Sequence, residues 1–115
     1  SLGYVVRKVN IQRFGDSYTV DIGQIVATIC NMQGAKAGFS YDERFIVTHH
    51  YEEDGTANLF LYDMQTQQVR KITDMPAGER ALFPHFRSDG WIYFTVKDGT
   101  KEFAAASDAA VILAQ

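Results

Sequence analysis

Phe39-Ser40-Tyr41-Asp42-Glu43-Arg44-Phe45-Ile46-Val47 and Phe86-Arg87-Ser88-Asp89-Gly90-Trp91-Ile92-Tyr93-Phe94 are two versions of one phrase. Each runs from a strand-like segment through an acidic turn into a strand led by an aromatic residue. Asp42 and Asp89 stand 47 residues apart, and the second copy is one residue shorter after the turn. Two more markers follow in the same order. Asp54-Gly55-Thr56 and Asp98-Gly99-Thr100 lie 44 residues apart. Asp-Gly between strand-like runs is a strong hairpin signal, because glycine takes a positive φ without steric cost. Leu61-Tyr62-Asp63 and Ala106-Ser107-Asp108 close the unit, 45 residues apart. Three ordered markers, with length changes confined to turns, define a repeat.

The tail of an earlier copy is legible upstream. Thr19-Val20-Asp21-Ile22-Gly23-Gln24-Ile25-Val26-Ala27-Thr28-Ile29 parallels the stretch from Leu61 to Ile72, each reading as strand, Asp-led turn and closing strand. A period of about 45 residues lies in the range of propeller blades. The reading predicts strands at 4–12, 17–21 and 25–30 for a partial first unit within 1–33. A full unit over 34–76 has strands at 35–40, 44–51, 57–62 and 68–73. A last unit over 77–115 has strands at 81–87, 91–97 and 102–107, with a fourth at 110–114. Leu59 and Leu61 alternate with Phe60 and Tyr62, and Trp91 and Tyr93 alternate with Ile92 and Phe94. Apolar residues on both faces of a strand mean that both faces are covered, which stacked blades achieve without helices. The fold class expected is all-β: antiparallel four-stranded blades of a β-propeller in an incomplete ring.

The two long phrases resemble the Ser-Pro-Asp-Gly-Arg-x-Ile signature of TolB-type propeller repeats. Asn58-Leu59-Phe60-Leu61-Tyr62-Asp63, then Gln65-Thr66-Gln67 and Val69-Arg70-Lys71-Ile72-Thr73, are similar to the third strand, turn and fourth strand of that repeat. The resemblance covers roughly residues 17–108. It departs from the family where Tyr41 and Ser88 replace Pro and where Glu43 replaces Gly. Beyond Asp108 the polar turn is missing, and Ser107 or Asp108 could equally cap a helix. The resemblance implies a bacterial protein, exported to the periplasm.

Fewer than three units cannot close a ring, since propellers have about four or more blades. Unclosed blades expose apolar faces that a monomer tolerates badly. Three outcomes follow: a portion of a longer propeller, a ring completed by other chains, or a compact β domain that is no propeller. The chain opens Ser1-Leu2-Gly3 rather than with Met. A removed leader, a cloning remnant or a stretch of a longer protein would each produce that.

Composition narrows the partners. Of 115 residues, 46% are hydrophobic and 22% charged, as in ordinary folded proteins. The net charge is −3, and basic residues adjoin only in pairs such as Arg70-Lys71, so nucleic acid is not an expected partner. No apolar run approaches the ~18 residues of a membrane helix. Cys30 is the single cysteine, so it has no internal disulfide partner, and its apolar setting predicts a buried structural thiol.

Candidate chemistry is sparse. His49 and His50 are neighbours in a predicted strand, so they face opposite ways and cannot readily share one metal ion. His85 precedes Phe86 on the expected innermost strand and would line a central channel. Some propeller lyases related to the TolB type hold a metal with axial histidines, which makes His49, His50 and His85 the metal candidates. Glu52, Glu53 and Asp54 form an acidic hairpin tip without the spacing of a calcium loop. With Arg80 and Arg87 they are the candidates for partner contact. There is no Gly-x-Ser-x-Gly elbow and no glycine-rich phosphate loop. The expectation is a non-enzymatic scaffold or accessory subunit, without cofactor, whose partner is another protein or the remainder of its own propeller. The alternative is part of an enzyme: a metal-dependent polysaccharide lyase, or the gating propeller of a prolyl-oligopeptidase-like hydrolase.

Overall fold

The structure, a computed structural model, describes residues 3–32 and 34–108. It contains nine strands and no helix among those residues: β1 Tyr4–Phe14, β2 Ser17–Ile29, β3 Ala35–Phe39, β4 Phe45–Tyr51, β5 Ala57–Asp63, β6 Val69–Lys71, β7 Arg80–Phe86, β8 Trp91–Asp98 and β9 Lys101–Asp108. The strand expected at 110–114 lies outside the described residues. The chain divides into two compact units, 1–32 and 33–115.

The first unit is an antiparallel hairpin of β1 and β2. Here the structure corrects the sequence reading. Strands were expected at 17–21 and 25–30 with a turn led by Asp21, yet Ser17–Ile29 is one strand. The reason is local. Residues 17–22 each find a partner on β1, from Phe14↔Ser17 to Val9↔Ile22. Thr19, Val20 and Ile22 are β-branched and favour extended backbone. Register shifts beside Arg7 absorb the mismatch farther along. The distal half of the ribbon is two-faced. Val9↔Ile22 and Ile11↔Val20 make an apolar side, and Asn10↔Asp21 and Gln12↔Thr19 a polar one. The apolar side is open, with Ile11 65% and Ile22 66% exposed. Cys30 is exposed rather than buried. Alternation puts Ile29 inward at the end of β2, and the next residue therefore faces out.

The second unit holds the repeat. Strands β3, β4, β5 and β6 form one antiparallel blade, and β7, β8 and β9 are the described strands of the next. The blades meet through a single parallel pair, Ala57↔Arg80. Their shared core is Phe45, Val47, Leu59 and Leu61 from the first blade against Ala81, Phe86 and Ile92 from the second.

Equivalent backbone positions adopt equivalent conformations. Glu43 (φ 61) and Gly90 (φ 83) occupy the same place in the two acidic turns. Asp42 Oδ1 accepts the Arg44 N–H at 3.0 Å, and Asp89 Oδ1 accepts the Trp91 N–H at 2.9 Å. The backbone course of the turns differs in length. Ser40 N–H donates to the Phe45 carbonyl, whereas Arg87 N–H donates to the Trp91 carbonyl one residue sooner. The innermost strands also share a bulge. Lys36 and Phe83 both have φ 55, within register shifts between Ala35 and Gly38 and between Leu82 and His85.

A non-glycine residue in the left-handed region carries a strain of about 1–2 kcal/mol, which glycine avoids at some entropic cost. Glu43→Gly is therefore expected to stabilise the chain by about 0.5–1 kcal/mol, and Gly90→Ala to destabilise it by about 1 kcal/mol. Urea unfolding at neutral pH checks the pair, and a sign reversal in either variant would refute the shared turn geometry.

Candidate functional site

The chain must travel from the outer strand β6 of one blade to the inner strand β7 of the next. Asn58, on β5, stitches that crossing down. Its side chain is 1% exposed. Asn58 Oδ1 accepts the Thr73 hydroxyl at 2.8 Å and the Met75 N–H at 2.9 Å, while Nδ2 donates to Glu52 Oε1 at 3.1 Å. Thr73 Oγ1 in turn accepts the Leu59 N–H at 2.9 Å. Thr56 Oγ1 accepts the Gly78 N–H, and Ala57 N–H donates to the Glu79 carbonyl. A buried amide is expensive unless all its groups are satisfied, and here they are.

The three histidines take three different environments. His49, on β4, is buried at 5% exposure. Its Nδ1 accepts the Phe83 N–H at 2.9 Å, so the ring is neutral there and bridges the two blades at the bulge of β7. The edge-on rings of Tyr51 and Phe83 flank it at 5.8 and 5.3 Å. Burial first, and the Lys36 charge second, hold its pKa below the ordinary 6.5. His50 turns to the opposite face, edge-on to Phe60 at 6.0 Å. His85 is exposed and stacks on Tyr93 at 6.0 Å. Among the described residues no three His, Cys, Asp or Glu side chains gather where a metal ion would be held.

The acidic hairpin tip is divided. Glu52 is exposed but engaged, bonded to Asn58 and paired with Lys71 at 3.2 Å. Asp54 caps its own turn through the Thr56 N–H, which lowers its pKa. Glu53 is exposed. Arg80 pairs with Lys97 on β8 and with Ala57 across the blade joint, so its backbone is structural while its side chain is exposed.

Arg87 leads to a cluster that the sequence reading did not assemble. Its guanidinium lies 4.1 Å from the centre of the Tyr93 ring. The Tyr93 hydroxyl donates to Asp89 Oδ2 at 2.6 Å. That bond holds the Asp89 carboxyl below the usual carboxylate range, with the Trp91 N–H adding to the effect, and pushes the Tyr93 phenol up. Trp91 stands beside them, 39% exposed. The exposed His85, Arg87 and Trp91 and the half-buried Tyr93 thus form one aromatic and cationic patch. The available signal was alternation: Trp91 and Tyr93 fall on one face of β8, opposite Ile92 and Phe94.

The architecture has a counterpart among solved structures. The chain is similar in fold to TolB. The crystal structure of TolB from Acinetobacter baumannii superimposes with a TM-score of 0.51 at 15% sequence identity, over 89% of this chain and 27% of that one. The chain therefore spans about a quarter of the length of that TolB chain. At this identity the likeness concerns the fold. No family model matches the sequence, and no curated protein does. The likeness to TolB agrees with the blade reading of β3–β9.

Asn58→Ala strands the Thr73 hydroxyl and the Met75 N–H, and is expected to cost about 2–3 kcal/mol in urea unfolding. A change under about 0.5 kcal/mol would show that the crossing is held elsewhere. His49 gives a second prediction. Its folded pKa lies below the unfolded value of 6.5, so folding excludes a proton. Its contribution is complete above pH 6.5 and is lost as pH falls through the lower folded pKa. Asp42, Asp54, Asp63 and Asp89, all lowered from 3.8, fail only at more acid pH. His49→Asn supplies a carboxamide oxygen near the place of Nδ1 and does not titrate. The parent should lose stability on acidification below 6.5 and the variant should not, by thermal unfolding across pH; parallel curves would refute the role.

Proposed function

We propose that the chain is a segment of a TolB-like propeller that serves as a non-enzymatic protein–protein interaction scaffold or accessory subunit. The observation that carries this reading is the open arrangement of the blades. The sheet of β3–β9 is not closed, and β9 has no partner on its outer edge among the described residues. A blade buries its faces only by stacking on neighbours. Two blades and a ribbon with an open apolar side call for more protein, from a longer polypeptide or from other chains. The same resemblance supports an exported, periplasmic setting.

The enzymatic alternative gains nothing from the positions of the histidines. His49 is used in the blade joint, and His85 stands on an exposed face against Tyr93. Glu52, Asp54 and the Arg80 backbone likewise serve the hairpin and the joint, which leaves Glu53 and Arg87 as the freer candidates for partner contact.

Assembly tests the proposal. The native polypeptide should have a mass far above 12.9 kDa by intact mass spectrometry, or the 12.9 kDa chain should elute as a multimer in size-exclusion chromatography with light scattering. A native 12.9 kDa chain that is monomeric and forms no complex would overturn it.

A further inference from the structure

The repeat lets one blade face be compared with its equivalent on the next. In the first blade the face bearing Gly38, Phe45, Val47 and His49 is covered by β7 of the second. Close approach is possible there because Gly38 has no side chain. A Cβ at Gly38 would sit 3.7 Å from the Pro84 carbonyl oxygen and 4.0 Å from the His85 Cα, so a side chain longer than that of alanine would meet the β7 backbone.

The equivalent face of the second blade is built differently. Gly38 pairs with Val47 just as His85 pairs with Tyr93. His85 thus takes the place of Gly38, Tyr93 that of Val47, Trp91 that of Phe45 and Arg87 that of Ser40. An imidazole stacked on a phenol ring occupies the space through which β7 approaches the first blade. Any protein that covers this face, from the same polypeptide or another, therefore meets ring and charge where the first blade presents Gly38.

What the face offers instead is a preorganised cation among aromatic rings. Arg87 lies over Tyr93, and the nearby Asp89 carboxylate acts on its charge, but its side chain forms no ion pair or hydrogen bond among the described residues, so its N–H donors remain open. Tyr93 is itself pinned by Asp89, whose two carboxylate oxygens are engaged by the Tyr93 hydroxyl and the Trp91 N–H. A guanidinium held over a ring face keeps its planar fork of N–H donors, which suits a carboxylate. Trp, Tyr and Arg are also the residue types that dominate binding energy at protein interfaces.

We propose that the His85–Arg87–Trp91–Tyr93 face binds a carboxylate-bearing segment of a partner protein, with Arg87 pairing the carboxylate and Trp91 and Tyr93 flanking the chain. This rests on the interaction reading above and names its surface. Salt should weaken the contact, because the charge pair sits at an exposed face.

Trp91 is the single tryptophan, so its emission reports the site without a label. The 115-residue chain is titrated with an alternating glutamate–serine hexapeptide and with its glutamine–serine counterpart. The expected result is a saturable emission change with the acidic peptide, diminished by added NaCl. Arg87→Gln should weaken it by about tenfold or more and Arg87→Lys by less, while Lys101→Gln leaves it unchanged. Equal binding of the glutamine peptide, or parental binding by Arg87→Gln, would overturn the proposal. Displacement by inorganic phosphate at equal concentration would reassign the site to phosphate and overturn the carboxylate. If the parent chain and Arg87→Gln enter the same native complex while the acidic peptide fails to bind, the scaffold reading stands and this site falls.

Discussion

The second unit depends on the joint where Ala57 pairs with Arg80. One parallel pair is a slender connection between two antiparallel blades. It holds because the backbone groups of the crossing have partners, and Asn58 provides several of them. The segment leaves β6 with the Ile72 N–H on the Leu59 carbonyl, passes Thr73 and Met75 on Asn58, and reaches Gly78 on Thr56. Irregular chain packed against a core loses about 1–3 kcal/mol for each donor or acceptor that is cut off from water and left without a partner. A carboxamide suits the task because it donates and accepts from one short side chain.

The second half of the joint is the bulge. Phe83 takes a left-handed conformation that a bulky residue adopts only when its surroundings compel it. The compensation is visible: the distorted strand turns its N–H to His49, and the imidazole Nδ1 accepts it at 2.9 Å. Lys36 repeats the conformation one blade earlier. A strained feature that recurs at the same step of a repeat belongs to the architecture, because coincidence would not place it twice beside the same turn.

Legibility in the sequence followed the strength of local signals. The Asp-led turns and the Asp-Gly hairpins were readable because each has a side-chain or glycine signature, and all the strands from β3 to β9 emerged within a few residues. The supposed turn at Asp21 shows the limit. Asp followed two residues later by Gly imitates a turn, but the partner strand decides, and β1 is long enough to pair through it. Cys30 failed for a related reason: an apolar run does not say which of its last two residues faces in. The histidines could be placed on opposite faces by alternation. Their use could not be foreseen, since the Phe83 N–H that His49 serves lies 34 positions away. Of the patch around Tyr93, alternation shows only that Trp91 and Tyr93 share a face; the addition of His85 and Arg87 depends on register and on the direction of an arginine.

Comparing the two blades separates what the scaffold requires from what it leaves free. Asp42 and Asp89 do the same work, as do Glu43 and Gly90, and Lys36 and Phe83 bend the same way. These positions set backbone course, so the chemistry tolerated there is narrow. Gly38 and His85, Ser40 and Arg87, and Val47 and Tyr93 share backbone geometry equally well, yet their side chains have nothing in common. In the first blade those residues bury a neighbour. In the second they replace small and apolar groups with ring and charge, which carry a desolvation cost if covered by another apolar face. The divergence therefore falls on the face that no described residue covers. A repeat scaffold holds its positions by turn and bulge, and the faces it leaves open are where a protein of this kind can acquire a partner.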